Sequence, residues 1–314
     1  MSVPRRILCP TDFSSGSDRA LVHALAWSRH LVAEIHVLHV IVDPHADDMH
    51  EEPPFAGVIA ARNALERLIE RHGAAAEACR AVTRGTSVAQ SIVGHALDAG
   101  IDLVVMGAHG RRGYRALAVG SQTVEVVRAA PCPVLAIPAA LGSPTTPLPR
   151  RTLVPLDFGP RAVPALRYAK EIADCAGGRL VLLHVIEATI VPDFYYPLGR
   201  SLFLREPETR RRSSAGLERL FWEAGGPDVP FDVRVVDGRA ATDIARIAGE
   251  IGADAIVMPT HGLAEAERLV LGSTTDKVLR SATCPVLVHC EPRSRRRAPT
   301  RASGTAALVH GSPQ

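Results

Sequence analysis

The sequence predicts an α/β chain built as two tandem doubly wound domains. Three observations carry that prediction. The chain repeats itself, each copy alternates short apolar runs with longer amphipathic segments, and the central runs are almost wholly apolar. CPTDF at 9–13 returns as VPLDF at 154–158, ALVHA at 20–24 as ALRYA at 165–169, and VLHVI at 37–41 as LLHVI at 182–186, all at an offset of 145. IDLVVMGAHG at 101–110 returns as ADAIVMPTHG at 253–262, GSQ at 120–122 as GST at 272–274, and CPVLAI at 132–137 as CPVLVH at 284–289, all at an offset of 152. One duplicated unit with a short insertion mid-way explains both offsets. The units run over 1–140 and 151–292. LGSPTTPLPR at 141–150 is Pro-rich and without periodicity, which marks a linker.

In the first unit RRILCP is the first strand. SDRALVHALAWSRHL follows as a helix, with Ser17 or Asp18 placed to cap it. EIHVLHVIV is the second strand, and VIAARNALERLIERHG a helix ended by Gly73. EACRAVTR is the third strand, and SVAQSIVGHALDAG a helix stopped by Gly100. DLVVMG is the fourth strand, a helix begins near Ser121, and PVLAIP is the fifth strand. Strands and helices in alternation, with apolar central strands, indicate a parallel sheet covered on both faces. Its crossovers should be right-handed.

Composition narrows the class. At 46% hydrophobic residues a core is available, but aromatics are 4%, so Val, Leu, Ile and Ala must fill it. No apolar run reaches the roughly 18 residues that span a bilayer. The start, MSVPRRILCPTDF, lacks the apolar core and cleavage site of a signal peptide. Cys9, Cys79, Cys132, Cys175, Cys284 and Cys290 are scattered, with no CxxC pair. They read as reduced, buried thiols in a cytoplasmic protein. The net charge is +3, but residues 293–314 hold five arginines and no acid, and without them it becomes −2. The body is therefore not a basic nucleic-acid binder. The tail reads as disordered and solvated, with an electrostatic contact as the alternative.

Ligands of doubly wound sheets sit beyond the carboxyl ends of the strands, where strand order reverses. Asp12, Asp157 and the segments GAHGRRGYRALAVGSQ at 107–122 and PTHGLAEAERLVLGST at 259–274 all follow apolar strands. Gly107 and Gly110 let backbone approach a polyphosphate. Gly120 and Ser121, opening a helix, offer N–H groups and a hydroxyl to an anion. Arg111, Arg112 and Arg115 add three positive charges between them. Asp12 could accept from a ribose or adenine group, or help hold a metal on the phosphates. Ordinary βα turns are the plainer reading of a lone glycine pattern.

The pattern is not alone. The spacing G-x2-G-x9-G-[ST], after VVM and before a helix leading to CPV, resembles the universal stress protein family. PTDFS at 10–14 and LHVI at 38–41 resemble that family's first two strand motifs, and the resemblance covers nearly all of 1–292. It implies a five-stranded parallel sheet per unit, Rossmann-like and akin to the adenine nucleotide alpha hydrolases. It also implies binding of ATP, with Mg2+ accompanying the nucleotide. Pairing of units through their last strands is a further implication, which this tandem chain could satisfy as an intramolecular pseudo-dimer or between two chains as a homodimer.

Carried over by position, the resemblance makes Pro10, Thr11 and Asp12 the end of the first strand and puts Val40 against adenine. Met106, Gly107, His109, Gly110 and Arg111 would line ribose and phosphates, and Gly120, Ser121 and Gln122 would bind phosphate. Gln122 departs from the small or β-branched residue usual there. In the second unit Pro155, Asp157, Val185, Gly262, Gly272, Ser273 and Thr274 match, but the departures that follow imply a weaker site. Leu156 replaces the threonine, and Pro259 replaces the first glycine, fixing φ and removing an N–H. Residues 263–271 carry Glu265 and Glu267 against Arg268, a balance of −1, where 111–119 carry +3.

Other constellations carry less. VDPHADDMHEE at 42–52 gathers His45, His50 and five acids, but without ligand spacing it reads as a solvated acidic loop rather than a metal site. His39 and His184 sit at matching strand positions and read as satisfied core histidines. PDFYYPLGRSLFLRE at 192–206 clusters aromatics and reads as a packed loop. These features point to a non-catalytic ATP-binding regulator of the stress-response type, with an unknown protein partner and no membrane. The competing classes are an ATPase or adenylyl or phosphoryl transferase, and a scaffold without nucleotide. The chain lacks a GxxxxGK[ST] loop and an SGGxDS-like loop, and spacing reveals no nucleophile–base pair.

Overall fold

The computed structural model describes residues 3–43, 55–74, 78–108, 120–139, 141–144, 146–187, 206–260 and 271–290. The first unit holds β1 (Arg6–Thr11), α1 (Ser15–Leu31), β2 (Glu34–Val42), α2 (Phe55–Arg71), β3 (Ala78–Gly85), α3 (Val88–Asp98), β4 (Leu103–Gly107), α4 (Ser121–Ala129) and β5 (Val134–Ile137). The second holds β6 (Arg151–Pro155), α5 (Ala162–Ala176), β7 (Arg179–Ile186), α6 (Glu206–Glu223), β8 (Phe231–Asp237), α7 (Ala240–Glu250), β9 (Ala255–Pro259), α8 (Ser273–Ser281) and β10 (Val286–His289).

The strands form one ten-stranded sheet in the order β3-β2-β1-β4-β5-β10-β9-β6-β7-β8. Each half is a five-stranded parallel sheet, as expected. The halves meet where β10 runs antiparallel to β5, with Leu287 opposite Leu135. Both joining strands are buried along their length, because each lies inside the sheet and under helices. Alternate side chains enter two cores. Ile7, Cys9, Leu103 and Val105 join the helices α1, α2, α5 and α6 on one face. Leu8, Val104, Met106 and Val134 join α3, α4, α7 and α8 on the other. Each core runs across the joint.

Two local expectations change. Ser14, not Ser17 or Asp18, caps α1, its side chain accepting from Ser17 N–H. The SSGSD run offers several capping groups, and the tight exit from β1 brings Ser14 to the helix start first. The thiols are not all buried: Cys9, Cys132, Cys284 and Cys290 are, Cys175 is half-buried and Cys79 is exposed. Cys79 lies on β3, the edge strand of the sheet among the described residues. All six are free, and burial pushes the Cys284 thiol up to about 12, so that group is inert at neutral pH. Gly73 and Gly100 stop α2 and α3 with φ of 64° and 63°. Among the described residues no helix is long and apolar enough to cross a membrane.

Candidate functional site

The strand order of the first unit reverses between β1 and β4, which is where a doubly wound sheet has its crevice. The β1–β4 register runs through Ile7↔Leu103 and Leu8↔Val104 and ends there. The β1–β2 register continues to Thr11↔His39, and β4 stays paired with β5 to Gly107↔Ile137. Beyond Leu8 and Val104 the ladder has no further pair, because Pro10 has no N–H to donate to β4. β2 and β3 lie on one side of this gap and β5 on the other, so it is the point where strand order reverses.

The end of β1 supplies one wall. Pro10 and Thr11 are buried and Asp12 is half-buried. The Thr11 hydroxyl lies 3.1 Å from Ser17 Oγ and accepts from Phe13 N–H at 3.0 Å, so it is committed to the start of α1. Asp12 Oδ1 accepts from Ser14 N–H at 3.0 Å, which fixes the carboxylate in a turn. Val40 is half-buried on β2 and packs with the core that holds Met106.

The far wall is the end of β4 and the start of α4. Gly120 N–H donates to Ala108 O at 2.7 Å, and the Thr123 hydroxyl donates to Gly107 O at 3.0 Å. These bonds pin the helix start to the strand end. Gly120 caps α4 without a side-chain bond, and Ser121 and Gln122 are exposed. Among the described residues nothing accepts from the N–H groups of Ser121 and Gln122. Two donors at the positive end of a helix dipole thus face outward.

The direction of one strand amide follows from the ladder. Val104 N–H donates to Pro133 O at 3.0 Å and Ala108 N–H to Ile137 O at 2.8 Å, both toward β5. Amide directions alternate along a strand, so Gly107 N–H is directed toward β1, past the last β1–β4 pair.

The second unit repeats the frame. The β6–β9 register ends at Leu153↔Ile256 while β6–β7 continues to Pro155↔Leu183. Gly272 N–H donates to Thr260 O at 3.0 Å, and the Thr275 hydroxyl to Pro259 O at 3.2 Å. Gly272 is buried, Ser273 exposed, and Thr274, Asp157 and Val185 half-buried. Ile256 N–H donates toward β10, to Pro285 O at 2.9 Å, so position 259 faces the crevice. There Pro259 has no N–H to offer. Leu156 and Ala162 stand where Thr11 and Ser17 bond in the first unit.

Sequence reasoning missed Thr123 and Thr275, which hold the helix starts. The signal was present, since each follows its glycine by three residues. It also missed Phe13 and Phe158, whose φ angles are 61° and 60°. His109, Gly110, Arg111, Gly262 and the loops at 44–54 and 188–205 lie outside the described residues. Among the described residues no group of three potential ligands could hold a metal ion. His39 and His184 are satisfied: each ring Nδ1 lies 2.8 Å from a backbone carbonyl oxygen, of Thr11 and Leu156 respectively.

The family model described as the universal stress protein family matches residues 4–138 and again 149–289. The chain belongs to that family, as a tandem member. A universal stress protein of Mycolicibacterium smegmatis is 29% identical over 298 residues, covering 90% of this chain and 96% of its own. A universal stress protein of Thermus aquaticus is 36% identical over 138 residues, covering 43% of this chain and 95% of its own. The first relative has the tandem length and the second the length of one unit. Among solved structures, a universal stress protein from Archaeoglobus fulgidus superposes with a TM-score of 0.63 at 22% identity, covering 93% of this chain and 97% of its own. That likeness concerns the fold.

Proposed function

We propose that this universal stress protein binds ATP in the first-unit crevice and acts as a non-catalytic regulator in the stress response. One observation carries the reading: the outward N–H groups of Ser121 and Gln122 stand beside the gap between β1 and β4. Donors at a helix start beside a switch-point crevice suit a polyphosphate. The Gly107 N–H, directed toward β1, would add a donor from the strand side. The exposed Ser121 hydroxyl and the arginines of 111–119 fit the same charge. Val40 would lie against the base. Asp12 is the carboxylate placed to meet a Mg2+ ion brought by the nucleotide, which would balance phosphate charge. The second crevice lacks one donor at Pro259 and carries acids in its loop, so it binds ATP weakly or not at all. A regulatory protein partner would read the loaded state.

The test is calorimetry of the purified chain with MgATP, backed by native mass spectrometry. About one tight nucleotide per chain is expected. No binding, or two equivalent sites, overturns the reading. Single-turnover assays with Mg2+ should show little hydrolysis. Turnover of a few per second, abolished by Asp12→Ala, would establish an enzyme instead.

A further inference from the structure

Among the described residues three non-glycine positions have positive φ: Val32, Phe13 and Phe158. Val32 ends α1 as its C-cap. Phe13 and Phe158 are the same position of the repeat, each following the aspartate at a crevice mouth. A bulky aromatic residue in the left-handed region is strained. Such strain persists only where surrounding contacts over-determine it, and it gathers at ligand sites.

One contact on the ring is the same in both halves. The Phe13 ring lies 4.4 Å from the His39 ring, and Phe158 lies 4.6 Å from His184. His39 Nδ1 is 2.8 Å from Thr11 O, and His184 Nδ1 is 2.8 Å from Leu156 O. A carbonyl oxygen only accepts, so Nδ1 carries the proton in both rings. Each histidine thus reaches across from the second strand of its unit and ties down a carbonyl at the end of the first, Thr11 O within β1 and Leu156 O just past β6. The same ring then supports the strained phenylalanine. Between these two anchors sits the aspartate, whose Oδ1 accepts from Ser14 N–H in one half and Gly159 N–H in the other, each at 3.0 Å.

We infer that His39 and Phe13 form a latch that presets the Asp12 turn for the nucleotide, with His39 its positioning residue. The inference rests on the nucleotide reading above. The second unit supplies a built-in control. His184 and Phe158 make the same latch beside a crevice where Pro259 replaces Gly107. A purely structural latch would matter equally in both halves. A positioning latch would matter for the ligand only in the first.

The experiment compares His39→Leu, His184→Leu and His39→Asn in the full chain, reading MgATP affinity by calorimetry and unfolding by thermal melting. Loss of one hydrogen bond together with the release of the turn should weaken ATP about tenfold in His39→Leu. His184→Leu should lower the melting temperature by a similar amount while leaving ATP affinity within about twofold, since the sites are far apart. Asn carries an N–H at the place of Nδ1, so His39→Asn should recover most of the affinity. Phe13→Asn keeps a residue tolerant of positive φ and removes the ring, and should weaken ATP several-fold in a chain that still folds. Wild-type binding with unchanged affinity in His39→Leu and Phe13→Asn overturns the latch and leaves the nucleotide reading standing. Equal affinity losses in His39→Leu and His184→Leu also overturn it. Absence of ATP binding by the wild-type chain overturns both.

Discussion

The amino ends of the central strands are nearly interchangeable between the two halves. Asp102 Oδ2 accepts from Arg5 and Arg6 N–H, both at 3.0 Å, and Asp254 Oδ2 from Arg150 and Arg151 N–H at 3.0 and 2.8 Å. Arg6 donates to Ala99 O at the end of α3, and Arg151 to Ile251 O at the end of α7. The carboxyl ends have diverged. Thr11, Ser14, Ser17 and Asp18 in the first half face Leu156, Gly159, Ala162 and Val163 in the second. The α1 start is capped by Ser14, while α5 begins without a side-chain cap. The amino end is alike in the two halves, and the carboxyl end is more apolar in the second. A duplicated crevice that no longer serves a charged ligand would lose polar groups in this way.

The sharpest break in the comparison comes at the glycine that opens α4. Gly120 has φ of −59° and ψ of 137°, which any residue can adopt, so its lack of a side chain matters as space. Gly120→Val should abolish ATP binding, a loss on the order of a hundredfold or more, at about 1 kcal/mol of capping stability. Gly272 has nearly the same angles, φ −56° and ψ 139°. Gly272→Val should leave ATP affinity unchanged. Undiminished binding in Gly120→Val, read by calorimetry, would remove the first crevice from consideration.

The halves also differ where they join. His289 ends β10, and its counterpart at the end of β5 is Ile137. Burial lowers the His289 pKa from 6.5 to about 4, and its Nε2 has no partner. As pH falls below about 6.5 the unfolded chain takes up this proton first. Stability from this group is therefore lost between about pH 6.5 and 4, by roughly 3 kcal/mol at 1.36 kcal/mol per unit. His289→Ile should flatten that part of the acid limb in denaturant melts at pH 7 and pH 4. An unaltered limb would show that the imidazole stays charged or finds water.

A gain of function tests the second crevice. Pro259→Gly restores the N–H that faces the gap, and Glu265→Gln with Glu267→Gln removes two negative charges from its loop. Together they should strengthen second-site ATP binding by about tenfold, the order of one charge-assisted hydrogen bond. A triple variant with wild-type stoichiometry and no second heat would place the deficiency elsewhere.

These differences were unequally legible. The two offsets gave the duplication, the strand–helix alternation and the place of the crevice. Pro259 and the loop charges showed the asymmetry, because they are changes of residue type. The antiparallel β5–β10 contact does not follow from residue patterns, since VLAI and VLVH pair equally well with any apolar strand. Lys170 reads as a surface charge, yet it is buried and donates to Phe221 O near the end of α6 at 3.0 Å. At the matching position the first half has Leu25. Only packing shows that a lysine there closes a helix end. The strain at Phe13 was hidden too, since the DF motif recurs but φ is not written in residue type.

The smallest expected effect concerns the pair that distinguishes the two turns most locally. Thr11 Oγ1 and Ser17 Oγ are 3.1 Å apart and buried, and Thr11 Oγ1 also accepts from Phe13 N–H. The second half fills the same space with Leu156 and Ala162, both buried. Thr11→Leu alone removes the acceptor for Phe13 and crowds Ser17, and should cost about 1–2 kcal/mol. Ser17→Ala alone loses its bonds to Thr11 and to Ser14 O, and should cost about 1 kcal/mol. Replacing both creates the apolar pair that the second half already accommodates. The double variant should therefore be more stable than the sum of the singles by about 0.5–1 kcal/mol in a denaturant cycle. Strict additivity would mean that the two hydroxyls do not interact, and that the polar turn of the first half is held by Asp12 and His39 without them.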